Sequence, residues 1–247
     1  MTSVDSGSTP PRASGPGTTG TDARRTAAVT WNYLCPFARN AHEHLVAAIA
    51  AGLDWEVEFL PFSLSETHVE EGGASVFDDP EAAPEMLSMC AGIVVRDRFP
   101  EAFYRTHLGL FAARHDLGLD IRSREVVTAV LGDAGLDAAS VLKEVDDGWP
   151  IEAFALAHRA AVADHEVFGV PTFVVGDDAA FVRLMTRPGR DDSTVTRATS
   201  TGPRSTQEVA TVAGADGGEA RRTIERVLDL LVSHPELNEF KHTTVSR

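Results

Sequence analysis

The chain has 247 residues, 43% of them hydrophobic and 24% charged, which suits one large globular domain or two small ones with a core that needs no disulfide staples. Two cysteines, Cys35 and Cys90, exclude a disulfide scaffold and a Cys-rich zinc module. With 22 basic against 37 acidic residues the net charge is −15, which argues against nucleic acid or an anionic membrane surface as the main partner.

Residues 1–26 are rich in Ser, Thr, Gly and Pro. Such a segment buries too little apolar surface to offset its ordering entropy, so a disordered tail is expected. It also lacks the apolar stretch of about 7–15 residues that a secretory signal needs. No run approaches the ~18 apolar residues of a spanning helix. A cytoplasmic location is therefore expected, with thiols reduced and no Cys35–Cys90 disulfide. From Ala27 to Leu34 β-branched and aromatic residues alternate, which predicts a strand. Cys35-Pro36 follows, then Phe37, Ala41, Leu45, Ala48 and Ile49 at helical spacing, with Gly52 as a stop. In Leu53 to Leu64, Trp55, Val57 and Phe59 alternate with Glu56 and Glu58, a second strand. A right-handed crossover makes the two parallel.

From Asp79 to His165 the pattern is helical, over Pro84–Arg98, Glu101–His115, Ser123–Leu131, Ala138–Val145 and Ile151–Asp164. Gly118, Gly132, Gly135 and Gly148-Trp149-Pro150 punctuate it. Val170 to Val175 reads as a strand, Gly176-Asp177-Asp178 as a turn and Ala180 to Thr186 as the partner of a hairpin. Residues 188–219 have no periodicity beyond a weak apolar patch at Val209 to Val212, and read as a solvated insertion. Ala220 to Val232 places Ile224, Val227, Leu228 and Leu231 on one helical face. A short polar tail follows. The order is β-α-β, a helical block, β-β and α, a small sheet with helices on both faces.

The sharpest chemical feature is Cys35-Pro36-Phe37-Ala38 between a strand and a helix. Unpaired N–H groups and the positive end of the helix dipole favour a thiolate there, so the Cys35 pKa is expected below that of a free cysteine. Pro36 is tolerated because the first turn needs no N–H from it. The other reading is a small buried hydrophobe at a strand end; the local sequence allows both.

The strand–Cys-Pro-x-x–helix unit, the helical block and the run Phe168-Gly169-Val170-Pro171-Thr172-Phe173-Val174 together resemble thioredoxin-fold proteins of the DsbA family. More narrowly they resemble the cytoplasmic branch of FrnE-like dithiol-disulfide isomerases, 2-hydroxychromene-2-carboxylate isomerases and kappa-class glutathione transferases. The resemblance covers roughly 27–186 and 220–232. It implies an α/β thioredoxin-like fold with a large α-helical insertion between the second and third strands. The β-α-β part then lies at 27–78, the insertion at 79–165, the hairpin at 166–187 and the last helix at 220–233. Around them stand the tail 1–26, the disordered insertion 188–219 and the tail 234–247.

The resemblance further implies Cys35 as nucleophile and a cis Val170–Pro171 bond beside it. The Val170 backbone would pair with a bound thiol partner, Pro171 would shape the rim, and Thr172 follows in the same run. Pro36 and Phe37 would border the sulfur, with the Phe37 ring open to an apolar substrate, and Arg39 reads either as a solvated helix residue or as a group that stabilises a thiolate or carboxylate. Related proteins often dimerise.

The chain departs from Cys-x-x-Cys by having Ala38 at the second position. A single thiol can attack a disulfide but cannot release the mixed disulfide internally. Release then needs a small thiol such as glutathione or mycothiol as co-substrate, or Cys90, which reads as a mid-helix core residue. No tightly bound cofactor is expected, and the partners are a small-molecule thiol or disulfide. Three functions follow: a thiol-disulfide oxidoreductase using an external thiol, a thiol-cofactor-dependent transferase or isomerase, and a redox-inactive binding module.

Trp31 and Tyr33 share one strand face and read as core. His42 and His44 point about 200° apart on a helix and cannot share a metal. His107 and His115 share a face only loosely. His158 and His165 lack a third ligand, although either could lie near Cys35. No Gly-x-Gly-x-x-Gly or Walker loop is present, so nucleotide chemistry is not indicated.

Overall fold

The computed structural model describes residues 25–189, 217–234 and 236. Most of the expected N-terminal tail, the body of the 188–219 insertion with its Val209–Val212 patch, and most of the C-terminal tail lie outside the described residues. Strands β1 (Arg25–Trp31) and β2 (Trp55–Pro61) flank helix α1 (Pro36–Ala50). The helices α2 (Met86–Arg98), α3 (Pro100–His115), α4 (Arg124–Asp133), α5 (Ala138–Asp146) and α6 (Trp149–His165) follow. Strands β3 (Thr172–Val175) and β4 (Asp178–Phe181) and helix α7 (Gly217–Ser233) complete the fold.

The sheet order is β2-β1-β3-β4. β1 and β2 are parallel, with Val29 opposite Phe59, as the crossover requires. β3 runs antiparallel to β1, with Val29 opposite Phe173, and forms a hairpin with β4. Val29, Thr30 and Trp31 are all fully buried. Successive strand residues point to opposite faces, so both faces of β1 are covered. The five-helix block sits between β2 and β3, which is the thioredoxin-like fold with a helical insertion.

Several boundaries differ from the sequence reading. β1 begins at Arg25, two residues earlier than expected, because Arg25 pairs with Trp55 and its guanidinium carbon lies 4.4 Å from that ring's centroid. β2 is shorter than Leu53–Leu64. α7 starts at Gly217, so residues 217–219 belong to it and not to the insertion. β4 ends at Phe181, not Thr186, because the carbonyls of Leu184 and Thr186 accept hydrogen bonds from α1 side chains, Asn40 and His44.

Trp31 and Tyr33 are fully buried core residues. Trp31 meets Phe103 and His107 edge-on, and Tyr33 meets Phe111 with centroids 4.9 Å apart. Within this apolar cluster runs a polar chain that the sequence reading did not find. The Thr30 carbonyl is 3.1 Å from His42 Nε2, His42 Nδ1 is 3.0 Å from His107 Nε2, and His107 Nδ1 is 2.9 Å from the Tyr33 hydroxyl. A carbonyl only accepts. His42 Nε2 therefore donates, which leaves Nδ1 to accept from His107 Nε2–H, and His107 Nδ1 then accepts from the phenol. One direction satisfies every group with both imidazoles neutral. Burial holds His42 down at about 4, and burial with the neighbouring His42 holds His107 well below the usual range.

Two outcomes follow. A Cβ at Gly92 would stand 2.4 Å from the Tyr33 hydroxyl, so Gly92→Ala is expected to destabilise the fold by about 1–3 kcal/mol in urea unfolding. His42 is harder to protonate folded than unfolded, so the unfolded chain binds more protons between pH 6.5 and 4 and stability falls as pH drops through that window. Urea midpoints across it should fall less steeply in His42→Gln, the difference reaching roughly 3 kcal/mol.

Candidate active site around Cys35

The turn from β1 into α1 is shaped by Asn32. Its side-chain amide donates to the Phe62 carbonyl at 2.9 Å, and its Oδ1 accepts from the Leu34 N–H at 2.9 Å, a local turn that short amide side chains favour. The Cys35 N–H donates to the Asn32 carbonyl. Cys35 then caps α1, its sulfur accepting from the Ala38 N–H at 3.4 Å, with Pro36 in the first turn.

On the other side the Val170–Pro171 bond is cis. The Cys35 Sγ–H donates to the Val170 carbonyl at 3.3 Å. Thr30 and Thr172 fix this loop from beneath: the Thr172 N–H donates to Thr30 Oγ1 at 2.8 Å and the Thr172 hydroxyl to the Gly169 carbonyl at 2.8 Å. A Cβ at Gly169 would meet the Phe181 ring at 3.5 Å, an ordinary contact, so that ring packs directly on the loop. Thr172 is buried and its hydroxyl is used inside the loop, which fixes the backbone beside Val170.

The rim is aromatic. Pro36 is exposed, Phe37 is half-buried, and Phe168 is 70% exposed with its ring 5.3 Å from that of Phe181. The Arg39 guanidinium bonds to Asp116 at 2.9 Å and to the Asn40 side chain, so its charge is paired with a carboxylate. The cation whose field reaches Cys35 is Arg183, which lies over the Phe37 and Phe181 rings. Arg183 was missed because its stretch reads as strand.

The expected low pKa does not hold. Burial pushes the Cys35 thiol up, and the Ala38 and Phe37 N–H groups with the Arg183 charge only partly oppose it. Cys35 is 9% exposed; a helix terminus lowers a pKa by stabilising charge, and desolvation removes more than it supplies. Cys90 is buried in α2, and burial pushes its thiol up to about 12, so it behaves as core. Both cysteines are free.

The histidines are placed by packing. His158 accepts from the Ser63 N–H and packs on Phe62 and Phe77. His115 Nε2 donates to the Tyr33 carbonyl at 2.9 Å, which ties α3 to the residues just before Cys35. Among the described residues no group of His, Cys, Asp and Glu could hold a metal ion, and no helix is long and apolar enough to cross a membrane.

Residues 101–191 match the family model of the DSBA-like thioredoxin domain, a span from α3 past β4 that does not include Cys35. The fold is similar to that of the cytosolic disulfide reductase DsbM from Pseudomonas aeruginosa with GSH, at TM-score 0.51 and 14% identity over 83% of this chain and 100% of that one. It is also similar to the oxidoreductase NmDsbA1 from N. meningitidis, at TM-score 0.50 and 13% identity over 91% and 92%. A 2-hydroxychromene-2-carboxylate isomerase gives TM-score 0.50 and 15% identity over 81% and 98%. No protein of curated function matches in sequence.

The rate of Cys35 alkylation by iodoacetamide is expected to rise with pH through a midpoint above the ~8.5 of a free cysteine. A midpoint below it would mean that the helix terminus outweighs burial.

Proposed function

For a chain whose residues 101–191 match the DSBA-like thioredoxin domain, we propose thiol–disulfide exchange by a single cysteine with an external small thiol. The observation that supports it is the seat of Cys35: its sulfur lies between the start of α1 and the Val170 carbonyl beside Pro171. Cys35 loses its proton to solvent. Its thiolate attacks one sulfur of a small disulfide, the Sγ–S bond forms as the S–S bond breaks, and a thiolate leaves. Ala38 supplies no second sulfur, so an external thiolate, glutathione or mycothiol by chemical class, attacks the substrate sulfur of the mixed disulfide and returns Cys35. The cycle needs a compartment stocked with reduced small thiol, which fits a cytoplasmic protein. Val170, Pro36 and Phe37 border the incoming sulfur in this reading.

One observation favours a second reading. Burial keeps Cys35 protonated near neutrality, and an S–H in that seat can donate a hydrogen bond to the thiolate of a bound cofactor. The protein would then act as a thiol-dependent transferase or isomerase that activates glutathione or mycothiol itself.

Incubation with oxidised glutathione or oxidised mycothiol, followed by intact mass, tests the first reading. One adduct is expected on Cys35, persisting until reduced thiol is added and absent in Cys35→Ser. In Ala38→Cys the adduct is expected to decay unaided. No adduct with either disulfide overturns exchange. Conjugating activity that survives Cys35→Ser supports the transferase reading, since serine keeps a donor at that place.

A further inference from the structure

The segment after β4 does not continue the sheet. The Val182 N–H donates to the Pro171 carbonyl at 3.1 Å, which starts the segment beside the cis bond. From there it crosses α1. Asn40 donates to the Leu184 carbonyl at 2.9 Å, and His44 Nε2 donates to the Thr186 carbonyl at 3.1 Å. Arg187 meets the Glu43 carboxylate through two nitrogens at 2.5 Å each and Asp116 at 3.0 Å. Asn40, Glu43 and His44 stand three and four residues apart, one face of α1, so a single helix carries Cys35 at its start and the anchors of this strap one turn on.

Within the strap the arginines differ. Arg187 is half-buried and neutralised by two carboxylates, and Arg39 on α1 shares Asp116 with it. Arg183 is exposed and has no carboxylate at ion-pair distance among the described residues. Its guanidinium carbon is 5.3 Å from the Phe37 ring centroid and 5.5 Å from that of Phe181. Such stacking fixes the plane of a guanidinium and leaves its N–H edge open for a planar anion. In a chain of net charge −15, a cation seated on the aromatic rim of the thiol is a selective feature. Phe168, 70% exposed and in ring contact with Phe181, extends the apolar part of the same rim.

We propose that Arg183 is the specificity-determining residue of the site, binding a carboxylate on the small thiol or disulfide that meets Cys35, while the Phe37, Phe168 and Phe181 rings take its apolar or aromatic part. The proposal rests on the reading of Cys35 as the reacting group. It names the substrate class as an anionic, carboxylate-bearing thiol or disulfide.

The test compares wild type and Arg183→Gln with two aromatic disulfides, dithiobis(nitrobenzoate), which carries carboxylates, and dithiodipyridine, which is neutral. Reaction at Cys35 is followed by intact mass against a Cys35→Ser blank. The readout is the ratio of the two second-order rate constants, because a change in thiolate fraction moves both and cancels. The substitution is expected to lower the carboxylate-to-neutral ratio about fivefold, the worth of a partly exposed charge pair. An unchanged ratio overturns the proposal.

If Cys35 of the wild type reacts with neither probe, exchange chemistry fails, and the anion site is judged by binding alone. Calorimetric titration of dithiobis(nitrobenzoate) into Cys35→Ser should then show about fivefold weaker affinity when Arg183→Gln is added. Equal affinity overturns the proposal.

Discussion

The Cys35 sulfur is held by two backbone groups that pull its proton in opposite directions. The Val170 carbonyl accepts it at 3.3 Å, and the Ala38 N–H approaches the sulfur at 3.4 Å as it would approach a thiolate. The helix terminus is worth about 0.3–1 kcal/mol in ordinary settings, whereas burying a charge costs several times that. The thiol form therefore holds the resting site. In the proposed exchange, reactivity would be conditional on the visitor, because a partner that took over the Val170 carbonyl would remove the acceptor that keeps the proton on sulfur.

The rest of the molecule keeps those two groups in register. Thr30 on β1 anchors the Gly169–Thr172 loop, so the sheet sets how far Val170 stands from Cys35. Asn32 ties the turn before Cys35 to the end of β2 through Phe62. From the helical block, His107 reaches the Tyr33 hydroxyl and His115 the Tyr33 carbonyl. The insertion is thus a brace on the residues that precede the cysteine, and the chain from Tyr33 through His107 and His42 to the Thr30 carbonyl costs little because each donor along it meets one acceptor.

Much of this was legible in the sequence. The change from alternation to helical spacing at Pro36 marked the strand–cysteine–helix junction, and the parallel pairing of β1 and β2 followed from handedness. The single apolar face of α7 was plain. The histidine chain was not legible, because spacing on one helix tests only partners on that helix, and His42 finds His107 65 residues away. The strap was misread for a related reason: Val182 and Leu184 alternate as in a strand, and only the α1 side chains that take its carbonyls turn it out of the sheet. The direction of the Cys35 shift was reversed because burial is a property of packing from several elements, which no local motif carries.

The charges around the site act at two ranges. The net charge of −15 opposes the approach of any anion from a distance, while Arg39 and Arg187 are already spent on Asp116 and Glu43. Arg183 therefore cannot draw an anion in from bulk solution; it rewards only one that has arrived at the Phe37 and Phe181 rings. Physiological salt, with a Debye length of about 8 Å, screens the long-range repulsion more than a contact pair. The same cation also favours the thiolate at Cys35. A carboxylate that pairs with it gains a hold on the site and withdraws part of that support, so carboxylate binding and thiolate formation compete for one guanidinium.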